Sequence, residues 1–492
     1  MSNGFRIKNI RDERAYHNTA ILIYLKAVRD VLGDVNVRIG NSLNQGYFTY
    51  IDKKKGNINA TDIHRIWNRM EAIVREDHDV EVDQCDVDKA RRKWEQLGYH
   101  EKAELLDVLE SGDTVEIADI DGYRNCMYSA LLPKTGMIDI FELRPYRNGL
   151  LLRLPNALRP ETLPDYRDDD KLYDAYAETK RVRKEIGLHY LADTNRVIAE
   201  GNSVGLIRAN EWFHNHIIEG FASQIVENGR RIVLISGPSS SGKTTFAKRL
   251  CKAISQISDE PLYLGTDDYF VERDQTPLGP DGEPDFEGLG ALDLELFNEQ
   301  MEALIAGKEV DLPEFDFIKG SKIFGKRIMK AGENQIIVIE GIHSLNEDLT
   351  ANIPAKQKFK IYISPLTLMG VDRHNRLSTA DTRLLRRMVR DNQFRGNSAE
   401  ATLEAWPKVR AGESVNVFPY SSSADIVFNS STMYETNLLK TYAEPLLKAI
   451  PESSAQYPEA QRILNFLRFF RPITSAEAVP EYSIIREFIG KD

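Results

Sequence analysis

The sequence predicts an α/β fold in which a parallel five-stranded sheet, flanked by helices, carries a phosphate-binding loop. Two observations lead to this prediction. After Arg231, short apolar runs alternate with helical stretches, and the first run is followed by the pattern G-x-x-x-x-G-K-T. Continuous apolar strands that alternate with helices indicate a parallel sheet that is covered on both faces. We expect this domain to be preceded by an α+β domain and a helical connector.

Five apolar runs are the candidate strands of the sheet. Each is short, rich in β-branched or aromatic residues, and separated from the next by a longer helical or polar stretch. The runs are Ile232–Ile235, Leu262–Leu264, Ile336–Ile339, Phe359–Ile363 and Ile426–Phe428. They supply one strand for each position of the expected sheet.

The rest of the chain divides by composition into further regions. Residues 1–150 mix helical and strand patterns, among them an apolar helix at 20–32 that Gly33 ends and a strand at 47–51. Residues 151–230 are predicted to be a linker and a helical connector, because three prolines and an acidic cluster precede a helical stretch. Residues 231–450 form the loop-bearing domain, and residues 451–492 are expected to form a helical tail.

Composition and charge argue against several classes of protein. A chain of 492 residues is long enough for about two to four domains. The net charge of -11 argues against a general nucleic-acid surface, because such affinity depends on neutralising phosphates. Cys85, Cys126 and Cys251 lie far apart and imply no disulfide framework, which is typical of a reducing compartment. With no signal-peptide core and no apolar run of ~20 residues, we expect a cytoplasmic protein without a membrane partner.

The strongest motif is the loop between the first apolar run and a helix predicted at 245–257. Small residues let backbone N–H groups converge on phosphate oxygens, and the helix N-terminus adds the positive end of its dipole. Lys243 would reach the β and γ phosphates, and Thr244 would offer its hydroxyl to Mg²⁺. The nucleotide-binding residues are then Gly237, Pro238, Ser239, Ser240, Ser241, Gly242, Lys243, Thr244 and Thr245. By itself the loop indicates a nucleoside triphosphate, and it leaves open ATP against GTP and kinase against switch.

Carboxylates follow two of the candidate strands. Asp267 and Asp268 come after the second run, and Glu340 ends the third. The carboxyl ends of parallel strands are where α/β sheets build their sites, and a carboxylate there can take the proton of an attacking hydroxyl. An Asp at such a boundary can equally cap a turn. Glu340 is predicted to support Mg²⁺, because a buried carboxylate without a cation is costly.

Arginines recur on one face of a helix predicted after Asp381. Arg383, Arg387 and Arg390 are spaced at i, i+4 and i+7. One interpretation is a solvated face that pairs with Asp381 and Asp391. The other is an unmatched basic face with an anion opposite it, because guanidinium groups suit phosphate oxygens. Arginines delivered by a lid would stabilise a phosphoryl group in transfer.

Taken together, these motifs resemble the phosphoribulokinase/uridine kinase family of phosphate-loop kinases. The likeness covers about residues 231–450. It is carried by GPSSSGKTT (237–245), TDDYF (266–270), DFEGLGALD (285–293), LPEFDF (312–317), IIVIEGIH (336–343) and DTRLLRRMVRD (381–391). The resemblance implies a P-loop kinase fold with ATP and Mg²⁺ as cofactors. It implies that Asp267 is the catalytic base, that Lys243 and Arg390 assist transfer, that Glu340 supports the metal, and that Arg390 and Arg395 belong to a lid over ATP.

On the acceptor side the chain departs from that family's pattern. The resemblance implies that Arg387 faces the acceptor, and Glu287 stands where uridine–cytidine kinases carry an Asp on the ribose hydroxyls. Phe315 and Gly320 replace a Tyr and a His near the base. Glu287 can still hold a diol and Phe315 can stack, but loss of the His removes a polar reader of the base. His343, after the Glu340 run, is either a substrate contact or a turn histidine.

Residues 8–150 resemble the editing-associated second domain of threonyl-tRNA synthetases. The likeness is carried by HNTAI (17–21), DVNVRIG (34–40) and QGYFTYID (45–52). That domain uses an H-x-x-x-H pair and a later C-x-x-x-H pair. Here His17 and Cys126 are present, while Ile21 and Ala130 occupy the partner positions. Two remaining groups make a poor metal site, so we expect the editing chemistry to be lost and a scaffold, dimerisation or ligand-sensing role to remain.

Three hypotheses of function follow from the sequence. The first is a kinase that phosphorylates the 5′-hydroxyl of a nucleoside such as uridine or cytidine. The second is a kinase of the same fold that acts on another small hydroxyl compound, such as a sugar phosphate or a cofactor precursor. The third is a tRNA- or RNA-binding regulator that uses ATP, against which the net charge of -11 stands. We expect no nucleic-acid partner, and homo-oligomerisation is left open.

Overall fold

A computed structural model of the chain describes residues 5–53, 56–279, 282–367 and 369–490. Contacts within the chain define two compact units. Unit 1 comprises Met1–Asn202, Thr367–Ser378 and Leu447–Ile473, and unit 2 comprises Ser203–Leu366, Thr379–Leu446 and Thr474–Asp492. The units therefore divide the chain at other residues than the composition does. No helix in the described part of the chain combines the length and the apolar character that a membrane span needs.

The described residues form fourteen α-helices and fourteen strands. The helices are α1 (Ile10–Leu32), α2 (Ala60–Glu76), α3 (Val87–Gln96), α4 (His100–Leu105), α5 (Asp170–Glu185), α6 (Leu191–Ala199), α7 (Ser203–Glu227), α8 (Lys243–Ile254), α9 (Leu294–Ile305), α10 (Thr379–Arg395), α11 (Ala399–Asn416), α12 (Glu435–Lys448), α13 (Tyr457–Leu467) and α14 (Arg486–Ile489). The strands are β1 (Asn36–Leu43), β2 (Gly46–Asp52), β3 (Glu81–Asp86), β4 (Thr114–Ile120), β5 (Tyr123–Asn125), β6 (Glu142–Tyr146), β7 (Gly149–Arg153), β8 (Ile232–Ser236), β9 (Leu262–Gly265), β10 (Glu309–Asp316), β11 (Ser321–Lys330), β12 (Ile337–Glu340), β13 (Lys358–Ser364) and β14 (Ile426–Asn429).

Unit 2 is built on a five-stranded parallel sheet in the order β14-β13-β8-β12-β9. Every residue of β8, β12 and β13 is buried, as expected for strands with helices on both faces. The five predicted strands and the parallel α/β fold are therefore confirmed. The chain leaves β8 toward β9 but leaves β13 toward β14, and a reversal of this kind places a crevice at the carboxyl ends of these neighbouring strands.

A two-stranded antiparallel hairpin of β10 and β11 also belongs to unit 2. The sequence analysis did not predict it as a pair of strands. Its residues alternate irregularly between charged and apolar, and most of β11 is partly or fully exposed. The apolar signal that identified the five strands of the buried sheet is therefore weak here.

Unit 1 contains two antiparallel sheets, one in the order β1-β2-β7-β6 and one in the order β3-β4-β5. The predicted strand at 47–51 lies in β2, and the predicted helix at 20–32 is the buried half of α1. That helix begins ten residues earlier, because the Asn9 side chain accepts hydrogen bonds from the N–H groups of Arg11 and Asp12. It ends before Gly33, as predicted.

The Thr367–Ser378 segment belongs to unit 1 although both flanking stretches belong to unit 2. Asp372 forms a fully buried ion pair with Lys102, at 3.0 Å. Arg373 makes two hydrogen bonds to the Glu101 carboxylate, at 2.5 and 2.8 Å. Backbone contacts add to this anchoring, since Asn375 donates to the Cys126 carbonyl at 2.9 Å. The Thr367–Ser378 segment is thus an integral part of unit 1.

The end of the chain is less helical than the composition indicates. Only α13 and the single turn α14 are helical between residues 451 and 490. Pro472 and Pro480 lie in the irregular stretch between them, where the absence of a proline N–H interrupts a helix. The prediction of a helical tail over 451–492 is therefore wrong for most of that range, and its described last part, residues 474–490, packs within unit 2.

Candidate functional site

The phosphate-binding loop lies between β8 and α8, where the sequence places it. Gly237 runs so close to the Ile363 carbonyl that a Cβ would overlap it, and Gly242 has φ +88°, a conformation that favours glycine. Gly242 is also the residue that precedes the first turn of α8. In the described part of the chain no group bonds the N–H of Lys243 or Thr244, so these donors at the start of α8 are available to an anion.

Arg386 supports this loop by hydrogen bonds to the loop carbonyl groups. Its guanidinium is fully buried and pairs with Glu435 at 2.5 Å, and it donates to the Ser430 carbonyl at 2.7 Å. It also reaches the carbonyls of Ser240 and Ser241, both at 3.4 Å. Because the Ser240 and Ser241 carbonyls bond Arg386 on this side of the loop, the loop N–H groups are left for an anion on the other side.

Glu340 ends β12 beside the first residues of α8. Its Oε2 accepts from the Thr244 hydroxyl and from the Tyr263 hydroxyl, each at 3.2 Å. Glu340 is 9% exposed, and burial raises its pKa from 4.5 to about 7, although the Lys243 charge opposes the shift. No basic side chain of the described residues lies within ion-pair distance of this carboxylate. A buried carboxylate whose partners are hydroxyl groups fits a hard cation.

The raised pKa of Glu340 predicts how stability depends on pH. The folded protein binds this proton more tightly than the unfolded chain does, so the free energy of unfolding should fall as pH rises from 4.5 to about 7. Glu340→Gln should remove that loss and stabilise the metal-free protein by about 1–3 kcal/mol at about pH 8, with little change at about pH 4. Thermal unfolding at the two pH values measures the difference. A variant less stable than the wild type at the higher pH would contradict it.

Asp267 follows β9 and lies at the same edge of the sheet. It is solvent-accessible, yet the protein around it desolvates the carboxyl and raises its pKa, while the charge of Lys243 lowers it. The neighbouring Asp268 is engaged elsewhere, because it pairs with Arg327 at 2.6 Å and accepts the N–H of Phe315 at 3.4 Å. The structure thus leaves Asp267 available for chemistry and gives Asp268 a structural role.

Of the two interpretations of the α10 arginines, the unmatched basic face is wrong for the described residues, and the pairing with Asp391 holds for Arg387 and Arg390. Arg383 is fully buried and bonds both oxygens of Glu413, at 2.7 and 2.6 Å. Arg387 and Arg390 both pair with Asp391, at 3.2 and 2.8 Å. Asp391 lies on α10 itself, but Glu413 lies on α11, so the sequence of α10 could not show that pair.

Two arginines of α10, Arg387 and Arg395, nevertheless interact with residues of the candidate site. Arg387 also donates to the Ser239 hydroxyl at 2.9 Å. Arg395 is more than half exposed, its contact with Asp391 is 3.6 Å, and the Asp267 charge acts on its pKa. Arg387 and Arg395 therefore approach the predicted site from α10.

Glu413 is a site residue that the sequence analysis missed. Besides its pair with Arg383, its Oε1 accepts the N–H of Ser239 at 2.8 Å. A carboxylate therefore already occupies one anion-binding donor of the loop. No local pattern around residue 413 indicates this contact, because the partner is 174 residues away.

The candidate acceptor residues lie on several elements of unit 2. Burial raises the pKa of Glu287, helped by Glu413 and opposed by Arg387 and Lys243, so the carboxylate lies within reach of the loop charges. Phe315 packs in a cluster with Phe270 and Phe317, at ring distances of 5.6 and 5.1 Å.

His343 and Gly320 complete the comparison with the predicted acceptor side. His343 is 2% exposed, and neither ring nitrogen has a well-formed hydrogen bond to a described residue. Burial lowers its pKa to about 4, so the ring is neutral near pH 7. Gly320 lies in the β10–β11 turn with φ +71°, where a Cβ would overlap Arg273. A His at this position would need another backbone conformation.

In unit 1, His17 and Cys126 are both enclosed. The His17 ring bonds the Tyr47 hydroxyl at 2.8 Å and the Pro155 carbonyl at 2.7 Å. Burial raises the pKa of the Cys126 thiol to about 12, so it is protonated at neutral pH and a poor nucleophile. No group of three or more metal-binding side chains occurs among the described residues. The loss of editing chemistry stays a prediction, which these contacts favour.

Comparison with known proteins places the similarity in a stretch that belongs to unit 2 except for the Thr367–Ser378 segment of unit 1. Residues 232–437 match the model of the Phosphoribulokinase / Uridine kinase family. The uridine kinase of Deinococcus deserti is 24% identical over 42% of this chain and 91% of its own length. The uridine kinase of Borrelia duttonii is 28% identical over 44% of this chain and 96% of its own length. The solved structure titled "Possible Uridine Kinase" from Bacillus stearothermophilus matches 43% of this chain and 96% of its own length, at 19% identity and with a TM-score of 0.28.

The match confirms the predicted kinase resemblance as a phosphoribulokinase/uridine kinase family domain at residues 232–437. It also supports phosphotransferase activity, as the sequence predicted. The likeness of the front region to synthetase editing domains lies outside this match and stays a prediction.

Proposed function

We propose that the chain transfers the γ-phosphoryl group of ATP to a hydroxyl of a nucleoside. The observation that carries the proposal is the group at the carboxyl ends of three adjacent strands. Lys243 follows β8, Asp267 follows β9 and Glu340 ends β12. Their charges act on one another, because Lys243 lowers the pKa of both acids. A cation, a carboxylate base and a metal-supporting carboxylate are what phosphoryl transfer requires.

In this proposal the loop fixes the triphosphate and Asp267 prepares the acceptor. The acceptor oxygen attacks the γ-phosphorus, and its proton goes to an Asp267 oxygen. The bond from the γ-phosphorus to the β–γ bridging oxygen breaks, and ADP leaves with that electron pair. Lys243 and the exposed Arg395 neutralise charge that gathers on the transferring oxygens. Mg²⁺, held by Thr244 and Glu340, would supply Lewis-acid neutralisation of the phosphates.

A nucleoside acceptor is supported by the chemistry of the candidate acceptor residues of unit 2. Glu287 offers a carboxylate to a ribose diol, and the phenylalanine cluster around Phe315 offers a face for stacking. Neither ring nitrogen of the neutral His343 has a well-formed hydrogen bond to a described residue, which leaves the ring open to a polar contact with the acceptor. The names of the uridine kinase relatives point the same way. Gly320 stands where uridine–cytidine kinases are expected to carry a histidine that contacts the base. Its absence favours a second candidate acceptor, another small hydroxyl compound.

An acceptor screen tests the proposal. The full chain is incubated with ATP, Mg²⁺ and a panel of nucleosides, sugar phosphates and pantothenate-like alcohols, and ADP release is measured. We expect the highest kcat/KM with a nucleoside, and Glu287→Ala to raise KM for that acceptor more than it lowers kcat. Lys243→Ala is the inactive blank. Stimulation by a non-nucleoside alone would replace the first acceptor by the second, and no stimulation by any compound would overturn the kinase proposal.

A further inference from the structure

The last described residues of the chain, 474–490, lie directly on the phosphate-binding loop. The Glu487 carboxylate accepts two hydrogen bonds from Thr245, from its hydroxyl at 2.8 Å and from its N–H at 3.2 Å. Thr245 is the last residue of the GPSSSGKTT motif and belongs to the first turn of α8. A side chain 242 residues away therefore caps the helix that the triphosphate is expected to use.

Apolar contacts seat the same segment against the loop. Ile484 packs on Gly242 so closely that a Cβ on that glycine would overlap it. Ile484 and Phe488 are both fully buried, and the Arg386 guanidinium lies over the Phe488 ring at 5.0 Å. Arg386 is also the residue that bonds the Ser240 and Ser241 carbonyls of the loop. The segment therefore contacts both the loop and the side chain that supports it.

The segment is also fastened to itself and to α10. Arg486 donates to the carbonyls of Ala476 and Val479, both at 2.9 Å, and to the carbonyl of Gly490 at 3.1 Å. Gly490 lies against Phe394 of α10. Residues 474–490 thus form an ordered segment beside both the loop and α10, which we call the C-terminal strap.

The position of the Glu487 carboxylate conflicts with that of a bound phosphate. Loop N–H groups and the first turn of the following helix cradle the α and β phosphates of a triphosphate. Thr245 cannot donate the same N–H and hydroxyl to the Glu487 carboxylate and to a phosphate at once. A phosphate bound beside that carboxylate would also be repelled by its negative charge. The Glu487 charge already acts on Glu340, whose pKa it raises.

We propose that the C-terminal strap is autoinhibitory: Glu487 occupies a phosphate-binding position of the loop, and a nucleoside triphosphate must displace it to bind. The proposal rests on the proposed function, because it requires ATP at this loop. The apparent dissociation constant then rises by the inverse of the fraction of molecules with an open strap, so a strap that is closed nine-tenths of the time weakens ATP binding roughly tenfold.

Point variants of the full chain test the strap without removing its buried residues. Glu487→Gln keeps the shape and removes the charge, and we expect it to bind ATP about tenfold more tightly in calorimetry and to lower KM for ATP. Glu477→Gln is the matched control, because it removes the same charge from an exposed position of the strap. It should bind ATP as the wild type does. Addition of ATP to the wild type should also speed hydrogen exchange in residues 483–490.

The outcomes separate the strap from the function on which it rests. Tighter binding by Glu487→Gln alone supports the strap, as does binding by this variant when the wild type shows none. Equal or weaker binding by Glu487→Gln, with ATP bound by the wild type, overturns the strap and leaves the kinase proposal intact. If neither protein binds ATP, both proposals fall together.

Discussion

Asp267→Asn should lower turnover by about 10²–10⁴-fold while the affinity for ATP stays close to that of the wild type. Asparagine has nearly the same shape but cannot take the proton of the attacking hydroxyl. The groups that we propose to hold the triphosphate, Lys243 and the loop N–H groups, are untouched by the change. Steady-state kcat with the best acceptor and the ATP dissociation constant from calorimetry measure the two effects separately.

Asp268→Asn is the matched control for this experiment. The two residues are adjacent, but Asp268 is paired with Arg327 and bonded to the Phe315 N–H. We expect Asp268→Asn to lower thermal stability and to change kcat far less than the Asp267 variant does. If Asp267→Asn kept wild-type turnover and Asp268→Asn lost it, the role of base would pass to Asp268.

Lys102→Met should strongly destabilise unit 1. It leaves the Asp372 carboxylate fully buried without its cation, which typically costs about 3–5 kcal/mol. The Asn125 side chain loses a partner as well, since the Lys102 ammonium donates to it at 2.9 Å. Calorimetry, together with hydrogen exchange of α4 and the Thr367–Ser378 segment, reports the loss from unit 1 specifically.

A second substitution shows whether the effect comes from the unpaired charge. Asp372→Asn keeps an oxygen for the N–H groups of His374 and Asn375, which bond it at 2.7 and 2.9 Å, and it removes the charge. Lys102→Met combined with Asp372→Asn should therefore recover much of the lost stability. Arg181→Met breaks an exposed pair with Glu178 and should leave unfolding unchanged. Equal losses from Lys102→Met and Arg181→Met would show that burial is not the cause.

The parts of the fold that sequence predicted are those with a strong local signal. The strands of the buried sheet are continuous apolar runs, and the buried half of α1 is an apolar helix. The first half of α1 is polar, and the β10–β11 hairpin is mixed in composition, so neither shows a clear period. Along the C-terminal strap burial depends on partners elsewhere in unit 2, and no pattern within residues 474–490 indicates them.

The candidate site likewise contains residues that a local sequence signal identifies and residues that no local signal identifies. Lys243, Asp267 and Glu340 are found from sequence because each adjoins a recognisable strand. Glu413 and Glu487 are missed because they reach the loop from 174 and 242 residues away. The arginines of α10 are found as residues, and the pairing with Asp391 is one of the two interpretations that the sequence leaves open, but the pair of Arg383 with Glu413 has no local signal.

The Thr367–Ser378 segment has a consequence for how this gene can be dissected. The chain passes from one unit to the other at residues 202, 366, 378, 446 and 473. No contiguous stretch of the reading frame therefore encodes either unit whole. A fragment cut to the family match at 232–437 would carry Asp372 away from Lys102 and lack Glu487. Function is best assayed on the intact polypeptide, and a truncated kinase that fails to fold would say nothing about catalysis.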